Sequence, residues 1–180
     1  MKRFFSLAVL ALLLSSALAG SNLRNQFEMA IRTSALLDSD LKITLADEKN
    51  RYLKFSGLFK GWGEFKIWQR SGATDMLGLN TVTCRPGCAS SGIGFFATRN
   101  DYLMDITKNV IATLPAARLL EVYRAKLPET SLTDPKDLRL ILELPRTGSS
   151  IVVFGENEGG ANPQLGVLKF NGARFKLGMK

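Results

Sequence analysis

Along the chain the spacing of apolar positions changes from helical to alternating and back, and each change marks an element. In "SNLRNQFEMAIRTSALLD" the apolar residues Leu23, Phe27, Ala30 and Ile31 recur at helical spacing behind Asn22, an N-cap type, predicting a short amphipathic helix. "DSDLKITLAD" reads as a turn and a strand. Its Asp38-Ser39-Asp40 lacks the glycine and the later glutamate of a calcium loop, so it is punctuation and not a metal site. From residue 49 the pattern alternates. "NRYLKFSG", "GEFKIWQRSG", "DMLGLNTVT" and "GIGFFATRN" are short runs rich in aromatic and β-branched residues, separated by Gly, Asn and Ser, as in an antiparallel meander. In the second run Phe65 and Ile67 alternate with Glu64, Lys66, Trp68 and Arg70, which predicts an inner and an outer face.

Helical spacing returns in "NVIATLPAARLLEVYRAKL". Ala116, Leu119, Leu120, Tyr123 and Leu127 share a stripe that begins at Pro115, a tolerated first helical position. "TSLTDPKD" is a polar turn, and "LRLILELPRTGSSIVVFGEN" reads as two strands around Arg146-Thr147-Gly148-Ser149. "QLGVLKFNGARFKLG" is a hairpin whose Asn171-Gly172 predicts a two-residue type I′ connection. The order helix, strands, helix, strands predicts an α+β fold. Its core is a mainly antiparallel sheet of meander and hairpins, with an N-terminal helix and one central helix packed on it.

The first 19 residues, "MKRFFSLAVLALLLSSALA", change the picture. Lys2 and Arg3 precede an uncharged apolar run that ends in the small-residue box Ala17-Leu18-Ala19, the pattern of a secretory signal cleaved after Ala19. The run is shorter than the roughly 20 apolar residues of a spanning helix, and nothing later is longer. The expected organisation is a signal peptide over 1–19 and a single globular domain over 20–180. Such a product is periplasmic or extracellular, with no membrane span after signal removal. Removal of Lys2 and Arg3 lowers the formal charge from +8 to +6. That excess is spread along the chain, whereas a nucleic-acid protein gathers it on one face. The partners it suits are an anionic envelope component or another exported protein, and no nucleic acid.

The chain has no histidine. This removes Ser-His-Asp and Cys-His nucleophiles, histidine-ligated zinc and copper, and the usual general base near neutral pH. With only two cysteines, a closed four-ligand zinc site is also out of reach, so no metal or cofactor is expected.

The two cysteines, Cys84 and Cys88, flank Arg85-Pro86-Gly87, the preference of a type II turn. Such a turn brings the pair toward the ~4.4–6.8 Å Cα separation of a disulfide. A redox dithiol and metal ligation are the other readings. Against them, the spacing is C-x₃-C and no helix follows that would lower a thiol pKa. A loop this short stabilises by less than the roughly 3 kcal/mol of a 15-residue loop.

"KNRYLKFSGLFKGWGEFKIWQR" interleaves basic and aromatic residues, a combination suited to sugar rings or anionic groups. Alternating strands usually turn such aromatics inward. Trp62, between two glycines, and Trp68, in parity with Lys66 and Arg70, are the exceptions. Trp62, Lys66, Trp68 and Arg70 are therefore the candidate ligand-binding residues. The basic end, with Lys169, Arg174, Lys176 and Lys180, reads as a charged edge that discourages strand pairing. Asp101 with Asp105 and Glu156 with Glu158 are the acid pairs a glycosidase would need, and both sit in polar surroundings that suit solvated acids better.

"VTCRPGCASSGIGFFATRN", "LILELPRTGSSIVVFG" and "LGVLKFNGARFKL" resemble a loosely defined group of uncharacterised exported bacterial proteins. That group has a Cys-x-x-x-Cys turn followed by an aromatic strand, and ends in an aromatic/Asn-Gly hairpin. Phe170 stands where the group often has Trp. The resemblance covers about the last hundred residues and implies export, an antiparallel sheet and paired cysteines. It implies no activity. The expected function is a non-enzymatic binding or interaction domain of the bacterial envelope. The alternatives are a thiol–disulfide redox protein using Cys84 and Cys88 and, behind it, a carboxylate-based cell-wall hydrolase.

Overall fold

Every strand pairs with its neighbour in sequence, and the chain does this twice. The first meander comprises β1 (Lys42–Asp47), β2 (Tyr52–Ser56), β3 (Trp62–Trp68), β4 (Met76–Cys84), β5 (Cys88–Arg99) and β6 (Tyr102–Asp105), all antiparallel. The second comprises β7 (Leu140–Glu143), β8 (Ile151–Gly155), β9 (Gln164–Phe170) and β10 (Phe175–Met179), also antiparallel. Helix α1 spans residues 23–33, and between the sheets come α2 (Thr107–Val110) and α3 (Ala116–Lys126). This computed structural model describes residues 23–34, 41–57, 60–70, 74–84, 87–99 and 102–179. The expected signal peptide and the turn residues Arg85 and Pro86 lie outside them.

The class is the α+β arrangement that the pattern implies. The division of the strands over two sheets is what the pattern does not reveal, and it decides where the site residues go. One face of the six-stranded sheet carries Leu53, Phe55, Phe65, Ile67, Leu77 and Leu79, which pack beneath Leu23, Phe27, Ala30 and Ile31 of α1. The Phe27 ring centroid lies 5.0 Å from Phe55 and 5.6 Å from Phe65. The opposite face carries Tyr52, Trp68, Met76 and Phe95, which form a second core with Leu142, Ile151, Val153, Leu165 and Phe175 of the smaller sheet. Leu119, Leu120 and Tyr123 of α3 close that core, with the Tyr123 ring lying over Gly155, where a side chain would collide with it.

One local expectation changes. The final hairpin pairs Phe170 with Phe175, so its loop has four residues and not two. The Asn171 side-chain carbonyl accepts the N–H groups of Ala173 and Arg174, and Gly172 takes a positive φ of 93°; these bonds stabilise the longer loop. The segment "NDYLMDIT" supplies β6, an edge strand whose Tyr102 is 77% exposed.

Candidate binding site

The expected outer face of β3 is not a surface. Lys66 is 5% and Trp68 4% exposed, because the second sheet covers the face that alternation marks as polar. Trp68 packs against Phe95 and Phe175. Trp62 is half-buried at the start of β3, with the Lys54 ammonium 5.6 Å from its ring centroid. Arg70 lies beyond the other end of the strand, its Nε donating to the Thr74 carbonyl at 2.9 Å. At about 3.3 Å per residue Trp62 and Arg70 are some 26 Å apart along the chain. The four candidates therefore do not share one open patch.

Between the sheets lies a polar lock that sequence reasoning missed. Glu64 is 3% exposed, yet each carboxylate oxygen has a donor. Tyr52 Oη donates to Oε1 at 2.9 Å; the Leu144 N–H donates to Oε2 at 2.9 Å, and Asn80 Nδ2 reaches Oε2 at 3.4 Å. Asn80 Nδ2 also donates to the Leu142 carbonyl at 2.6 Å, tying β4 to β7. Burial pushes the Glu64 carboxyl above its usual range, against the pull of the Leu144 and Tyr52 hydrogen bonds. Burial and the adjacent Glu64 charge push the Tyr52 phenol upward too. With its donors satisfied and its walls closed, this group joins the sheets and is not presented to a substrate.

The cysteines form the disulfide that the hairpin reading favours. Cys84 and Cys88 face one another at the last pair of the β4–β5 ladder, with Cα atoms 3.9 Å apart. Neighbouring Gly87 sits against Arg139 Nη1 and the Glu156 carboxylate so closely that a side chain there would collide with both. The staple thus holds a hairpin of the first sheet against an ion cluster of the second. Within that cluster Arg139 Nη1 lies 3.2 Å from Glu158 Oε1 and 4.0 Å from Glu156 Oε2.

This cluster forms one wall of an open cavity of about 630 Å³, to which Tyr123, Thr130, Ser131 and Asn157 also contribute. Tyr123 donates its hydroxyl to the Glu156 carbonyl at 2.9 Å, and burial, with the Glu156 charge second, raises its phenol pKa. The cavity size is that of small-molecule sites. Its lining offers hydroxyls, an amide and charges of both signs, Lys136 and Arg139 beside Asp137, Glu156 and Glu158. Glu156 and Glu158 share one guanidinium, that of Arg139. Of the other acid pair, Asp105 accepts the Thr107 N–H at 2.8 Å, and its hydrogen bonds with Thr107 lower its pKa. Asp101 lies outside the described residues. Among the described residues no cluster of three or more His, Cys, Asp or Glu is placed to hold a metal ion.

No family model matches the chain, and no curated protein does. The fold is similar to that of a domain of an uncharacterized protein from Porphyromonas gingivalis W83, with a TM-score of 0.52 at 13% identity over 73% of each chain. The likeness concerns the fold. Among the described residues no helix is long and apolar enough to cross a membrane.

Proposed function

We propose that this protein is an exported, non-enzymatic binding domain of the bacterial envelope that takes a polar ligand in the cavity walled by Arg139. The observation that carries the reading is the polar, hydrogen-bonding character of that wall. Arg139 is shared by Glu156 and Glu158 beside Thr130, Ser131 and Asn157, a set that recognises by hydrogen bonding. The leader pattern over 1–19 supports export, and the disulfide suits an oxidising compartment. The ladder position of the cysteines favours a staple over a redox dithiol, because Cys84 and Cys88 end a paired hairpin and neither opens a helix.

The test begins with the exported protein. Its intact mass should show cleavage after Ala19, and alkylation should find no free thiol. Thermal shifts are then recorded with peptidoglycan fragments, an anionic polysaccharide and a neutral glucan. At least one should raise Tm for the wild type and fail to do so for Arg139→Ala. Turnover of a fragment, or alkylation of both cysteines in the exported protein, would replace the binding reading with a hydrolase or a thiol reading respectively.

A further inference from the structure

Lys66 and Trp68 lose their place on an open face, and the structure gives them another setting. A second cavity, of about 320 Å³, opens between the β1–β2 turn, the end of β3 and the β7–β8 loop. Its lining includes Lys49, Arg51, Lys66, Trp68 and Ser149, with no acidic residue. The Lys66 ammonium donates to the carbonyls of Asn50 at 2.7 Å and Arg146 at 3.1 Å. An ammonium has three hydrogens, and the third has no acceptor among the described residues. No carboxylate forms an ion pair with it there. Asp47, the acid whose charge favours it, is already engaged by Arg146 Nε at 2.6 Å and by the Asn50 amide at 2.9 Å. A buried cation without a counter-ion is costly, and proteins usually pair such a group.

Trp68 adds an independent observation. Its six-membered ring rests on Gly78, where a side chain would collide with it, and its indole N–H is buried with no acceptor among the described residues. Lys66, 5% exposed, and Trp68, with its orphaned N–H, stand two residues apart on one face of one strand and both line the same cavity, whose lining holds no acid.

We propose that this cavity is a small-oxyanion site, in which a carboxylate or phosphate group sits between the Lys66 ammonium and the Trp68 indole N–H. The anion supplies the acceptors that both groups lack and adds counter-charge to that of Asp47, which Arg146 already engages. Lys49 adds positive potential at the mouth, where Arg51 is already paired with Asp75 at 2.7 Å, and the Ser149 hydroxyl is available to a further oxygen. The site is separate from the cavity walled by Arg139 and does not depend on a ligand there.

The test uses acetate, benzoate and inorganic phosphate as probes, with chloride at equal ionic strength as control. Binding is read by calorimetry and by the Trp68 indole proton resonance, assigned as the one absent from Trp68→Phe. At least one oxyanion should bind and move that resonance downfield. Tighter carboxylate than phosphate binding would assign the source as an organic acid, and the reverse a phosphate compound. Lys66→Met should abolish binding, and Trp68→Phe, which keeps an aromatic ring and removes the N–H, should weaken it about tenfold. Arg139→Ala should leave it unchanged, so failure of either site is distinguishable from failure of the other. If Lys66→Met does not fold, Trp68→Phe carries the decision. Absence of any oxyanion effect on the wild type at 10-millimolar-scale concentrations, or equal binding by the variants, overturns the proposal.

Discussion

Replacing Glu64 separates its hydrogen bonds from its charge. In Glu64→Ala the Tyr52 hydroxyl and the Leu144 N–H lose their buried acceptor, while Asn80 keeps the Leu142 carbonyl. Two stranded donors cost about 1–3 kcal/mol each, so roughly 2–6 kcal/mol is expected before any cavity term. For a domain of this size the midpoint corresponds to a Tm lower by about 8–16 °C. Glu64→Gln behaves differently. Its carbonyl oxygen still accepts from Leu144 and Asn80, its NH₂ donates to the Tyr52 oxygen at the expense of that hydroxyl's own donation, and removal of the buried charge offsets the loss. Stability within about 1 kcal/mol of the wild type is expected near neutral pH.

The pH dependence has a defined sign. A carboxyl whose folded pKa is raised above its ordinary 4.5 binds protons more tightly when folded. Its contribution is therefore fully present below pH 4.5 and is lost as pH rises through the folded value. Urea unfolding of wild type, Glu64→Gln and Glu64→Ala at several pH values from 4 to 8 measures this directly. The gap between Glu64→Gln and wild type should shift in favour of the glutamine as pH rises. A Glu64→Gln variant as unstable as Glu64→Ala, or a gap independent of pH, would refute the account of this lock.

Three further perturbations test the layers around it. Phe27→Ala should cost about 3–5 kcal/mol in chemical unfolding, because it removes the ring that α1 packs on Phe55 and Phe65. Gly78→Ala, by forcing a methyl group into the Trp68 ring, should cost about 1–3 kcal/mol and disturb the Trp68 emission spectrum. The double variant Cys84→Ser/Cys88→Ser should lose less than about 3 kcal/mol in urea unfolding. Its Gly87 and Arg139 amide resonances should nevertheless shift, because the staple seats that hairpin on the ion cluster.

The elements were legible where one periodicity had one buried face. The α1 stripe, the α3 stripe behind Pro115 and the paired cysteines read directly from spacing, and their packing agrees. β3 misleads because both of its faces are buried. Phe65 and Ile67 meet α1, while Glu64, Lys66 and Trp68 meet the second sheet. Alternation of polar and apolar residues cannot distinguish a solvated face from a buried face whose polar groups find partners far along the chain. Here Glu64 is bonded by Leu144 and Lys66 by Arg146, each 80 residues away. The Arg139-walled cavity was illegible for the same reason, since Tyr123, Arg139 and Glu156 converge only through tertiary packing, with Gly87 against its ion cluster. A local signal did exist at Gly87, the third residue of "RPG", but it announces a turn and not what the turn rests on.

The proposed binding function is tested most directly by amide chemical-shift mapping of the mature domain with peptidoglycan fragments and an anionic polysaccharide. Saturable shifts centred on Thr130, Ser131, Arg139 and Asn157, with the added compound recovered unchanged, are the expected result. Conversion of the compound, or shifts confined to residues remote from that cavity, would contradict it.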